Sequence, residues 1–117
     1  MKVLEKRFPK DHRVVAGVGM FLAAAQRREE ALPYLKRAVA MRPGDAPDNF
    51  SLGKLYDELD KVELADKFYK KALALPAEPE QKKESACLYA EFLKKRKKPN
   101  AARYEKEHCP DGLPDED

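Results

Sequence analysis

The sequence predicts an all-α fold built as a stack of antiparallel helix hairpins, on three observations. Apolar residues recur three and four apart along Phe50, Leu52, Gly53 and Tyr56, and again along Leu64, Ala65, Phe68, Tyr69, Ala72, Leu73 and Leu75. That spacing is one face of a helix, twice over. Small residues, Gly53, Ala65 and Ala72, stand where the two helices would meet, and helix axes at a contact lie only about 8–10 Å apart. The pattern then recurs 34 residues earlier, with Gly19 for Gly53, Ala31 for Ala65 and Ala38 for Ala72. Large apolar positions match too: Val18 for Leu52, Leu22 for Tyr56 and Leu35 for Tyr69. A two-helix unit this short cannot bury its apolar face alone, so recurrence is what makes the pattern a fold.

The elements follow in chain order. Residues 1–11 read as the tail helix of a preceding half-repeat, with Val3, Leu4 and Phe8 on one side and Pro9 ending it. Residues 12–45 form the first full unit. Its leading helix, His12 to Arg27, is apolar nearly all round, as expected of a helix covered on several sides. Glu29 and Glu30 open its second helix favourably against the helix dipole, Pro33 costs that helix one hydrogen bond, and Pro43-Gly44-Asp45 closes the unit. Residues 46–79 are the second unit, with Asp48 as the expected helix cap. Residues 80–110 read as a degenerate hairpin. There Ala90 and Ala102 repeat the small-residue pair if about three residues are inserted near 80–82, and Lys106 replaces the large apolar residue. Such a loss suits a terminal unit with a solvated outer side. Residues 111–117 form an acidic tail.

In both full units the residues resemble the tetratricopeptide repeat family, whose pattern is W-x2-L-G-x2-Y, then A-x3-F, then P. The second unit carries Leu52-Gly53-x2-Tyr56, then Ala65-x3-Tyr69 and Ala72; the first carries Val18-Gly19-x2-Leu22, then Ala31-x3-Leu35, Ala38 and Pro43. Val15 and Asn49 stand at the Trp position, and Ala77 replaces the closing Pro. The resemblance implies a right-handed superhelical α-α solenoid acting as a non-enzymatic scaffold. It implies a concave groove, lined by the first helix of each unit, that holds a peptide or helix of a protein partner. Carried onto matching positions, the partner-binding residues are Arg13, Met20, Phe50, Lys54, Asp57, Lys94 and Lys95. Met20 beside Phe50 would be an adaptable apolar anchor, with Lys54 and the basic run selecting charge, while Ala16 and Ala23 read as packing residues. Family members that grip a C-terminal carboxylate use a Lys and an Asn at positions held here by Ala16 and Met20, and a further Asn where Ser51 stands, so that role is not implied.

Composition narrows the remaining classes. The chain has 117 residues, 43% hydrophobic and 38% charged, with no Trp and a net charge of +3, which suits a solvated helical array and not a polyelectrolyte binder. No nucleophile elbow, HExxH, P-loop or dinucleotide fingerprint is present, so neither catalysis nor a cofactor is expected. His12 and His108 read as isolated, so no metal is expected, and Asp57, Glu58 and Asp60 read as a solvated helix end. Cys87 and Cys109 match no zinc spacing and read as reduced, partly buried thiols. Residues 1–25 mimic a secretory signal. The acidic Glu5 and Asp11 and the in-phase Val18, Gly19 and Leu22 argue against it, and the apolar run is shorter than the roughly 20 residues of a membrane span. A cytoplasmic protein is therefore expected. The basic run Lys94 to Lys98 offers an alternative function, binding of an anionic polymer or acidic surface, with nucleic acid disfavoured because no aromatic residue interleaves the run. Homo-oligomerisation through the apolar first helix is the other.

Overall fold

The computed structural model describes residues 11–110. All regular structure among them is helical: α1 (His12–Ala24), α2 (Arg28–Met41), α3 (Ala46–Glu58), α4 (Val62–Ala74), α5 (Pro79–Lys95) and α6 (Ala101–His108). The expected tail helix at 1–11 and the acidic tail at 111–117 fall outside the described residues, apart from Asp11. The chain divides into two compact units that part between Leu75 and Pro76.

In the first unit, α1 packs against α2 and α3 against α4, and α2 also packs on α3. The two hairpins close at the small residues. A Cβ added to Gly53 would lie 3.1 Å from the Tyr69 nitrogen and 3.3 Å from the Ala65 carbonyl oxygen, while one added to Gly19 would lie 2.8 Å from Leu35 Cγ. Ala31, Ala65 and Ala38 are sealed from solvent and Ala72 nearly so. Around these crossings Val15, Val18, Leu35, Leu52 and Leu55 are all at most 1% exposed, each worth roughly 1.5–3 kcal/mol of burial. Phe50 packs on Tyr69 with ring centroids 5.1 Å apart, and Tyr56 on Phe68 at 5.6 Å, tying α3 to α4. Leu64 departs from the expected inward face and is 39% exposed; it lies one position before Ala65, about 100° away around the helix.

The hairpin corners are built alike. Gln26, Asp60 and Lys97 all take left-handed backbone, with φ of 67°, 61° and 56°. In each, the next residue's N–H reaches back five positions: Arg27 to Leu22 O (2.8 Å), Lys61 to Tyr56 O (2.9 Å) and Lys98 to Leu93 O (2.9 Å). This is the Schellman closure, which satisfies helix-end carbonyls. Asp60 follows Gln26 by 34 residues and Lys97 follows Asp60 by 37, so the expected insertion of about three residues is present.

One cap differs from expectation. The cap of α3 is Asp45, whose carboxylate accepts from Asp48 N–H at 3.0 Å. Asp48 sits one turn further on and is 4% exposed. Asp11 caps α1 by accepting from the Arg13 N–H at 3.0 Å, which holds its carboxyl below the ordinary value.

The second unit is the hairpin α5–α6. Its second helix begins at Ala101, just after Pro99 and Asn100, and Ala101, not the expected Ala102, is the small buried residue, 8% exposed. In place of the missing apolar side chain at Lys106, Tyr104 sets its ring edge-on to Tyr89 at 5.0 Å. Cys87 and Cys109 are not thiols: they form a disulfide with Cα atoms 5.1 Å apart. The corner at Lys97 folds the chain back so that the residue just past α6 meets a residue midway along α5. The two lie 22 positions apart, a relation that no local spacing rule reveals.

The crossings predict opposite outcomes for two glycines. Gly53→Ala drives a methyl into backbone atoms that cannot swing aside and should cost about 1–3 kcal/mol. Gly17→Ala meets nothing within 4 Å and should stabilise α1 by roughly 0.5–1 kcal/mol. Urea unfolding followed by circular dichroism reads both.

Candidate functional site

The cleft of the first unit is formed by helices that meet unevenly. Helices α1 and α3 both lean on α2. They are pinned near their N-termini where the Asp48 carboxylate accepts from His12 Nδ1 at 3.0 Å, and further along the Met20 sulfur lies 3.7 Å from Ser51 Oγ. Beside that contact opens a cleft of about 410 Å³, within the size range of ligand-binding clefts. Its α1 wall is Met20, Ala23 and Ala24, continued by Gln26 of the corner. Its α3 wall is Ser51, Lys54 and Glu58, and buried Leu35 and Leu55 form the base. Small alanines on one wall leave the space, and Gly19, by drawing α2 close, brings Leu35 beneath it.

Charge in the cleft is partly spent internally. Glu58 accepts from Arg28 Nε at 2.8 Å, an ion pair joining the end of α3 to the start of α2. Lys54 is exposed on the same wall. The helix end expected to be solvated is so only at Asp60, which is exposed: Glu58 is paired, and Asp57 is only 8% exposed, with interactions of its own.

Of the residues singled out from sequence, Met20, 45% exposed, and Lys54 line the cleft together. Phe50 does not join them: its ring turns to Tyr69 in its own hairpin, and Ser51 takes the place beside Met20. Arg13 is exposed at the start of α1, bonded to Asp11. Lys94 and Lys95 belong to the second unit, where Lys94 pairs with Glu105 at 3.0 Å and Lys95, Arg96 and Lys98 have interactions of their own. The basic run is therefore largely engaged within the protein. Glu58, carried onto the groove from the family resemblance, does line the cleft; sequence reasoning missed Leu35 and Leu55, because only the packing of α1 and α3 on α2 brings these buried side chains to its base.

His12 is not isolated. His12, Asp45 and Asp48 bring one ligand atom each within 4.8 Å of one another, and among the described residues they form the group able to hold a metal ion. Their arrangement already has an internal explanation: Asp45 caps α3, and Asp48 accepts from His12. Burial pushes the Asp48 carboxyl above its ordinary 3.8; the His12 hydrogen bond opposes the shift and the nearby Asp45 carboxylate adds to it. Asn49, fully buried beside it, gives its amide hydrogens to the carbonyls of Pro43 (3.0 Å) and Asp45 (2.8 Å), fixing the loop that precedes α3.

Residues 49–79 match the family model described as tetratricopeptide repeat. The match covers α3 from Asn49 onward, α4 and the corner between them, the segment carrying Leu52, Gly53, Tyr56, Ala65 and Tyr69. No curated protein matches the chain. No helix among the described residues is long and apolar enough to cross a membrane.

A raised acid pKa means the folded chain holds that proton more tightly than the unfolded one. The group's contribution to stability is then fully present below about pH 3.8 and is lost as pH rises through the folded value. Asp48→Asn removes this loss. Relative to the parent chain, it should become more favourable as pH rises above about 3.8 and level off once the folded carboxyl has ionised, read as the difference in urea midpoints at matched pH.

Proposed function

We propose that this chain, which carries a tetratricopeptide repeat at residues 49–79, is a non-enzymatic scaffold whose α1–α3 cleft holds a peptide or helix of a protein partner. The repeat is in general a non-catalytic protein-interaction module. The observation that carries the finer reading is the cleft itself, with an exposed Met20 and an exposed Lys54 across a buried Leu35 and Leu55 base. A flexible thioether adapts to apolar side chains of different shape, and the ammonium of Lys54 selects an acidic group at the rim. The expected ligand is thus a segment with an apolar anchor flanked by Asp or Glu.

Binding to an anionic polymer through Lys94 to Lys98 gains no support, since most of that run is engaged within the chain. Self-association through α1 is favoured by one observation, the 57% exposure of Phe21, which is not among the residues lining the cleft; sedimentation equilibrium of the parent chain and of Phe21→Ser reads it directly. The bonded cysteines suit an oxidising compartment, where disulfides persist, and a cytoplasmic setting is not part of the proposal.

The cleft reading is tested by selecting peptides from a displayed random library on the full chain. Selected peptides should be apolar with acidic flanks. They should lose at least about tenfold in affinity, roughly 1.4 kcal/mol, on Met20→Glu, and a smaller factor on Lys54→Glu, with circular dichroism unchanged. Peptides that bind both variants as well as the parent would contradict it.

A further inference from the structure

Helix α6 has little of its own to hold it. It is eight residues long, below the roughly 12–15 at which an isolated helix becomes even marginal in water. Only Ala101 among its residues is buried, and no side chain caps its N-terminus. Among its attachments to α5 are the Tyr104 ring edge on Tyr89, the exposed Lys94–Glu105 ion pair and, one residue past its end, the Cys87–Cys109 bond. An exposed ion pair contributes little. The covalent bond is of a different order: it closes a loop of 22 residues, and in the chain-entropy account its removal favours the open state about 300-fold.

The geometry points to a redox-controlled clasp: the Cys87–Cys109 bond keeps α6 seated on α5, and its reduction by an external dithiol releases α6 and uncovers the face of α5 around Tyr89. The reaction balances within thiol–disulfide exchange. A thiolate of the dithiol attacks one sulfur, the Cys87–Cys109 bond breaks to leave a mixed disulfide and one cysteine thiolate, and the second dithiol sulfur displaces the other cysteine while closing its own disulfide. Two electrons pass to the protein, and both cysteines end as protonated thiols. Both are nearly sealed from solvent, 1% and 4% exposed, so exchange waits on fraying of the chain at Cys109. A short helix at its C-terminal end is where such fraying is easiest. The first unit contains no cysteine and serves as an internal reference.

Hydrogen–deuterium exchange of the full chain, oxidised and then reduced with dithiothreitol, tests the clasp. Amides of residues 101–109 should lose protection by about two orders of magnitude on reduction, those of 12–75 should be unchanged, and oxidised glutathione should restore the starting pattern. The double variant Cys87→Ala with Cys109→Ala should reproduce the reduced pattern without reductant; reduced parent chain gives the same reading if that variant does not fold. Equal protection of 101–109 in both states overturns the clasp. So does loss of protection across 12–75 as well, which would make the bond a staple of the whole fold, and so does parent chain whose two cysteines remain thiols after incubation with oxidised glutathione.

Discussion

Two helix backbones can approach to touching distance only where one of them lacks a side chain, and this constraint underlies the first unit. At Gly53 the opposing atoms are the Tyr69 ring and main-chain atoms of α4, and at Gly19 they are the branch of Leu35 and the Cβ of Tyr34. Because the approach is so close, the flanking large residues close over it and the core becomes nearly dry. Ala31 and Ala65 repeat the same economy from the opposing helix. A bulkier residue at either glycine would move a whole helix, since packed interiors do not deform locally without cost.

From that contact the candidate site follows. With α2 held close to α1, Leu35 comes to lie beneath the space between α1 and α3, where alanines on one wall and a serine on the other leave room. Three corners with the same left-handed residue and the same five-residue reach-back bond set the hairpins to one design. The cleft is what remains when two such hairpins pack through α2 and α3 while α1 and α3 make few contacts of their own, His12 with Asp48 and Met20 with Ser51 among them.

Much of this was legible in the sequence, and the reasons are specific. Gly19 with Gly53, Ala31 with Ala65, and Leu35 with Tyr69 share a residue type because each pair meets the same steric demand, so the 34-residue interval exposed the fold without any contact being known. The insertion before the third hairpin was visible through Ala90. What stayed hidden depended on angles between elements. Asp45 and Asp48 both have capping chemistry, and only the backbone decides that the first caps α3 while the second turns to His12. Phe50 was expected in the groove, but a ring on the border of two faces goes wherever another ring awaits it, and Tyr69 is in its own hairpin. Cys87 and Cys109 looked unrelated because the fold-back at Lys97 joins them. Ala101 took the place expected of Ala102, since the one-residue difference in which side of α6 faces α5 carries no sequence mark.

The molecule therefore combines a rigid element, glycine-tight crossings, with a lightly held one, α6, whose attachment rests largely on a bond that chemistry can break. A binding surface on the first gains from rigidity, because little ordering remains to be paid for when a ligand arrives. The account's central claim, that α1 meets α2 at Gly19 and α3 meets α4 at Gly53, is tested most directly by nuclear Overhauser contacts in the uniformly labelled chain. It predicts strong cross-peaks from the Gly53 α-protons to the Tyr69 ring and from the Gly19 α-protons to the Leu35 methyls. Helical chemical shifts throughout 12–74 with both sets of cross-peaks missing would contradict it.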